Sequence, residues 1–144
     1  MFEIRGLDEK STAFMRKREA ANAFRIYSFI EPQLVEPDHS VVVMNIHPEN
    51  LNPFGMVHGG AICTLADNAS GVAAHSDGRK YVTQASSYNY ISNQGSGTLK
   101  AEGKVVHRGR RTVVVDVTIT GENEKLIATA TFTMFCVGDG KEEV

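Results

Sequence analysis

Between His58 and Ala74 nearly every residue is small or apolar, and Asp67 is the only formally charged side chain there. A carboxylate in such a setting is pressed to give up water, and an uncompensated buried charge is costly. Chains keep such a group for a task, and the task that suits it is acid–base or nucleophilic chemistry. The other reading is a structural carboxylate bonded to a neighbouring hydroxyl or amide. The run Asn52-Pro53-Phe54-Gly55-Met56-Val57-His58-Gly59-Gly60 leads straight into this segment. Two glycines at a helix start let another molecule approach the backbone closely. The first amides of a helix lack internal partners, and the macrodipole makes that end mildly positive. A carbonyl oxygen gaining negative charge would be stabilised there, and losing one such donor costs roughly 3 kcal/mol in an acyl-transfer barrier. The alternative is a tight loop-to-helix junction with glycines chosen for packing.

Spacing separates the two features. Asp67 follows Gly59 by eight residues, which is about 12 Å along a helix and about 80° around it. Asp67 is poorly placed to serve its own helix start. An antiparallel second copy of the helix would bring the partner's carboxylate opposite, so the spacing favours a site shared across a symmetric dimer.

The elements that must position these residues follow from pattern. At 144 residues the chain is expected to form one domain, residues 1–144, with a real core. Ser11 is placed to cap a first helix running to Arg25, within an N-terminal helical segment over 1–30. Phe14, Arg18, Ala21 and Arg25 share one of its faces. Pro32 and Pro37 read as a loop. Val41 to Ile46 reads as a mostly buried strand. The central helix starts at His58 or Gly59 and ends near His75. Four further strands are expected: Tyr81 to Ile91, Thr98 to Val106, Thr112 to Thr120 and Leu126 to Val137. Alternation is clearest at Val113, Val115, Val117 and Ile119. Short turns make the sheet antiparallel, and the tail over 138–144 is expected to fray. A helix apolar on almost every face must be covered nearly all round. The expected class is therefore α+β, a curved antiparallel sheet wrapping one long helix.

Bulk properties exclude several functions. The net charge is −2 with both signs scattered, so no nucleic-acid footprint is expected. The longest apolar stretch is too short and Gly-rich to span a bilayer, and Asp67 interrupts it, so no membrane partner is expected. The charged segment Met1 to Arg25 lacks a signal core, and Cys63 and Cys136 are the only cysteines; a cytoplasmic location follows as the expectation. His39, His47, His58, His75 and His107 form no recognisable metal set, so no metal is expected.

The run Asn52 to Asp67 closely resembles the signature of hotdog-fold acyl-CoA thioesterases, nearest to the phenylacetate-pathway (PaaI-like) group. Similarity extends through Tyr81-Val82-Thr83, Tyr88-Asn89-Tyr90, Gly97-Thr98-Leu99, Ala101-Glu102-Gly103 and Arg108-Gly109-Arg110-Arg111-Thr112, roughly residues 40 to 135. The resemblance implies hydrolysis of coenzyme A thioesters to free acid and coenzyme A. It implies no cofactor, since coenzyme A is part of the substrate, and it implies a homodimer that commonly pairs into a dimer of dimers. At the matching positions, Asp67 would activate water or attack the thioester carbon. Gly59 would polarise the carbonyl, with His58 orienting the helix start. Asn52 would place the thioester or the water, and Thr83 would sit near that water. Gly60, Ser70 and Tyr90 would line the substrate site, and Arg108, Arg110 and Arg111 would meet coenzyme A phosphates. A solvated hairpin tip is the alternative for the arginines.

Two departures stand out. Asn68-Ala69-Ser70 replaces a common Thr-Ala-Phe, and Ile91-Ser92-Asn93 replaces Leu-Arg-Pro or Leu-Lys-Pro, which removes one basic contact to coenzyme A. Fold alone does not settle function, so a non-catalytic acyl-CoA binder or regulator remains a second reading. A hydratase or dehydratase on the same fold is a third, although its catalytic His motif is not found.

Overall fold

The computed structural model describes residues 1–144. In chain order the elements are β1 (Glu3–Ile4), α1 (Glu9–Ala20), α2 (Ala23–Tyr27), β2 (Ile30–Glu36), β3 (His39–Asn45), α3 (Gly59–Ala74), β4 (Arg79–Tyr90), β5 (Thr98–Arg108), β6 (Thr112–Thr120) and β7 (Leu126–Asp139). The strands form one seven-stranded sheet in the order β1-β2-β3-β5-β6-β7-β4. Every pairing is antiparallel except the two-residue β1, which lies parallel to β2. The sheet curls around α3, which touches each strand from β2 to β7. This is the hotdog arrangement, mixed α+β.

The pattern in β6 shows why the sheet curls inward. Val113, Val115, Val117 and Ile119 are buried against the helix, while Asp116 and Thr118 point to solvent. Burying a side chain of this size contributes about 2 kcal/mol. From α3 come Ile62, Leu65, Ala66, Ala69, Val72 and Ala73. Gly103 of β5 sets the closest approach: a Cβ there would meet the Ala69 carbonyl oxygen at 2.7 Å. The Ser40 hydroxyl also donates to that oxygen, at 2.7 Å.

The N-terminal segment departs from the expected single helix. Asp8, not Ser11, caps α1, its Oδ1 accepting from the Ser11 amide at 2.8 Å. The helix stops at Ala21 because the Asn22 side chain takes the Arg25 amide and caps α2 instead, a local bond that competes with helix continuation. Pro32 does not open a loop. It sits inside β2 at a register shift, where a missing N–H is tolerated. The tail is tied down: β7 runs to Asp139, the Gly140 amide donates to the Gly78 carbonyl, and Lys17 and Lys80 hold Glu143. The helix α3 is not covered all round, since Gly60, Cys63, Thr64, Asp67 and Asn68 keep partial exposure.

Candidate active site

His58 begins α3. Its backbone is extended (φ −62°, ψ 137°) and its Nδ1 accepts from the Gly60 amide at 2.8 Å. The Ala61 and Ile62 amides donate to the His58 carbonyl. Of the four amides in the first turn, Gly59 N–H alone has no acceptor within the chain. A Cβ at Gly59 would meet only the Tyr90 ring, at an ordinary 3.7 Å, so no contact inside the chain demands glycine there. At Gly60 a Cβ would lie 3.1 Å from His58 Nδ1 and crowd the cap. The preceding loop is held by Asn52, whose Oδ1 accepts from the Phe54 and Met56 amides at 2.9 and 3.1 Å.

Two turns along, Asp67 Oδ1 accepts a 2.7 Å hydrogen bond from the Thr83 hydroxyl. The carboxylate is half-buried, so the loss of water expected from its neighbours is incomplete in the single chain. Thr83 lies at a bulge in β4, where the register shifts before Ala85, and bulges re-aim side chains. Tyr90, farther along β4, sets its hydroxyl 2.6 Å from Cys63 Sγ. That hydrogen bond, together with lost solvation, pushes the Tyr90 pKa up to about 12. A groove of about 310 Å³ opens beside the helix start, lined in part by Phe24, Tyr27, His58, Gly60 and Thr64. A larger hollow of about 530 Å³, around Phe2, Arg25 and Pro32, is lined by none of the residues singled out for chemistry.

Ser70 and Arg108 take places other than those expected. Ser70 is fully buried on the core side, its hydroxyl donating to the Asp67 carbonyl at 2.9 Å and facing Met134, so it lines no open pocket. Arg108 lies at the opposite end of α3. Its Nε donates to Asp38, its Nη1 to Asp77 and the Tyr81 hydroxyl, and its Nη2 to the Ala73 carbonyl. Each guanidinium nitrogen makes a bond within the chain, so Arg108 ties the helix C-terminus to its surroundings. Arg110 and Arg111 are exposed at the hairpin tip and make no ion pair.

Around Arg108 the electrostatics are those of a sealed core. Burial opposes ionisation of Asp77, but the Arg79 amide, the Tyr81 hydroxyl and the guanidinium groups of Arg79 and Arg108 hold its carboxyl below the usual range. Burial, aided by Arg18, lowers His75 to about 3, leaving a neutral ring between the Gly71 carbonyl and the Tyr81 amide. Burial and the bond to Asp77 push the Tyr81 phenol up. No three His, Cys, Asp or Glu side chains gather as a metal site, and no helix is long and apolar enough to cross a membrane.

Sequence reasoning missed the Cys63–Tyr90 pair, which no local pattern signals. It also missed Arg18 lying against Gly71, for which a glycine in mid-helix was the available sign.

A mostly antiparallel sheet rolled around one long helix places the protein among the hotdog folds. Residues 54–128 match the family model described as Thioesterase superfamily, half of the chain, and the protein belongs to that family. It is a thioester hydrolase of the PaaI-like group. The acyl-coenzyme A thioesterase PaaI of Escherichia coli is 33% identical over 90 residues, covering 62% of this chain and 64% of PaaI. The solved structure of PaaI, from the phenylacetic acid degradation operon, superposes with a TM-score of 0.87 at 26% identity, covering 93% of this chain and 98% of that one. The smu.793 protein of Streptococcus mutans, crystallised with acetyl CoA, is 41% identical with a TM-score of 0.73, covering 76% and 90% of the two chains. A hypothetical thioesterase protein of Streptococcus pneumoniae, crystallised with coenzyme A, is 38% identical with a TM-score of 0.76, covering 79% and 91%. Two further crystals of that protein carry an aspartate-to-alanine and a threonine-to-alanine replacement sixteen positions apart. Asp67 and Thr83 are also sixteen apart.

Proposed function

We propose that the protein hydrolyses acyl-CoA thioesters to a free acid and coenzyme A, in a site shared by two copies of the chain. Asp67, oriented by Thr83, takes a proton from water as the water attacks the thioester carbon. The oxyanion so formed is received by the Gly59 N–H of the second copy. Collapse of the tetrahedral species expels the coenzyme A thiolate, which is then protonated. Direct attack by Asp67, giving an anhydride that water cleaves, is the variant of the same reading. His58 fixes the helix start, Asn52 fixes the loop before it, and Gly60 and Tyr90 bound the approach of the thioester. Arg110 and Arg111, free of carboxylates, are available to coenzyme A phosphates. The reaction needs no metal and no redox cofactor, and two unpaired thiols fit a cytoplasmic setting.

The observation that carries this reading is the unspent Gly59 amide on the same helix as a half-exposed carboxylate, the two held about 12 Å apart by helix geometry. Neither completes a site alone. The outer edge of β4 supports a second copy as the partner. It ends the sheet with no neighbour, and Val82 to Ser87 are all exposed. Long bare edges invite strand pairing, and β4 carries Thr83 on that edge. Pairing of such dimers into a tetramer belongs to the same proposal.

Complementation between two disabled variants is the decisive test. Asp67→Asn is expected to lower kcat about 1,000-fold on an acyl-CoA panel, with the fold unchanged. Gly59→Pro removes the amide while respecting the helix, because proline suits the first helical position and His58 already has the extended backbone that proline requires. It should lose at least about 100-fold. Random re-association of the two variants should restore about a quarter of full activity, through mixed dimers that hold one intact site. Full activity in Asp67→Asn would remove the carboxylate from the reaction. No recovery in verified mixed dimers would sink the shared site.

A further inference from the structure

We infer that a groove between α1 and the start of β4 receives the acyl group, and that Lys17 and Lys80 on its rim select acyl groups ending in a second carboxylate. The inference rests on the proposed thioester hydrolysis at Asp67 and names its substrate class. The groove holds about 400 Å³. It adjoins the reacting carboxylate on two counts. Val82, on its wall, precedes Thr83, whose hydroxyl donates to Asp67 at 2.7 Å. Arg18, also on its wall, lies against Gly71, where a Cβ would be 3.0 Å from Arg18 Nη2. Gly71 stands four residues after Asp67, about 6 Å farther along the same face of α3. An acyl chain leaving the thioester carbon beside Asp67 can therefore run into the groove.

The lining combines apolar walls with unbalanced charge. Val82 and Val137 are left half-exposed there, so covering them with a hydrocarbon chain is favourable. Around them stand three cations, Lys17, Arg18 and Lys80, and one carboxylate, Glu143. Arg18 Nη1 donates to Glu19 Oε2 at 3.0 Å, whereas its Nη2 has no acceptor in the chain. Lys80 Nζ pairs with Glu143 Oε1 at 2.7 Å, and Lys17 Nζ donates to the Glu143 carbonyl at 2.9 Å. Glu143 thus shows what the two ammonium groups accept between them, a carboxylate. The Lys80–Glu143 pair is exposed, 36% and 45% for the two side chains, and exposed pairs hold weakly, so an incoming carboxylate can take the place of Glu143. Lys80 precedes Thr83 by three residues, about 10 Å along the strand. Three residues of extended backbone span about nine bonds, so a diacid of about eight carbons reaches from the thioester to Lys80. Coenzyme A phosphates are anions too, but a nucleotide gains little from valine walls.

The experiment compares octanedioyl-CoA with octanoyl-CoA, matched in length, on the full-length protein. Octanedioyl-CoA should have the higher kcat/KM, by about fivefold. Lys17→Met combined with Lys80→Met should erase that preference through KM, and Glu143→Gln, which releases Lys80, should raise it about twofold. Circular dichroism checks that each variant folds, and Lys80→Met alone replaces the double variant if that does not. Equal kcat/KM for the two esters in the unaltered protein overturns the substrate class and leaves hydrolysis at Asp67 standing. So does failure to cleave octanedioyl-CoA while other acyl-CoA esters are cleaved. A preference that survives loss of both lysines overturns their role. A KM raised equally for both esters assigns the lysines to coenzyme A phosphates and overturns the inference as well. If no acyl-CoA ester is cleaved, the proposed function falls with it.

Discussion

At its C-terminal end α3 runs into Arg108, Asp77, Tyr81 and His75, whose polar atoms are matched to one another or to backbone groups. At its N-terminal half, Gly59 N–H has no acceptor, Asp67 is half-exposed, and the edge of β4 alongside is bare. One helix therefore carries a finished end and an unfinished one. Satisfied polar networks rigidify a fold, whereas unspent donors and half-solvated carboxylates are what a reaction draws on. The sealed end holds the helix so that the open end keeps its geometry. The two ends should respond differently to substitution.

The largest effect is expected where the sealed end loses its hub. Arg108→Met should cost about 2 kcal/mol in urea denaturation, because Asp38 and the Ala73 carbonyl would lose this donor and Asp77 would keep Arg79 as its one guanidinium partner. The folded fraction should keep its kcat. Unchanged stability with a raised KM for coenzyme A esters would show that Arg108 contacts substrate after all. At the open end Thr83→Val should do the reverse, lowering kcat about tenfold through loss of one hydrogen bond to a charged group. Its melting temperature should barely move, since Thr83 is exposed. A drop in stability without a drop in rate would assign Thr83 to the scaffold. The smallest effect concerns His75, whose folded pKa of about 3 lies below its unfolded value. The unfolded chain then binds the extra proton, so stability is present above about pH 6.5 and is lost as pH falls toward the folded value. From about pH 7.5 to about pH 5.5 the loss should be on the order of 1 kcal/mol. His75→Gln should flatten that slope in denaturation curves, whatever its absolute stability, and an equally steep slope would refer the effect to other groups.

What was legible in the sequence followed the range of the interactions. The start of α3 at Gly59 follows from a local cap, and β6 from strict alternation over Thr112 to Thr120, so both are found where pattern puts them. Thr83 was within reach because the family resemblance put it near the attacking water, but its bond to Asp67 across sixteen residues was not expected. Where distant partners decide, local signals failed. Pro32 reads as a break, yet pairing with β3 carries the strand past it. Arg108 sits beside Arg110 and Arg111 in sequence, but it ends β5 over the helix C-terminus, while the other two cross into the turn. The division between α1 and α2 hangs on one Asn22 side chain, whose amide group also reaches Asn68 of α3 at 3.3 Å.

The close approach at Gly103 also bears on how this scaffold can change over generations. With the Ala69 carbonyl 2.7 Å from where a Cβ would sit, no side chain fits between helix and sheet at position 103, and the Ser40 hydroxyl bonds the helix to the sheet at that same carbonyl. A lineage adapting to a bulkier acyl chain must leave that seam alone. It has to remodel the parts that do not bear on it, namely the short α2 with its exposed Phe24 and Tyr27 and the loop that Asn52 folds. Variation among descendants should therefore gather at the rim and spare the seam.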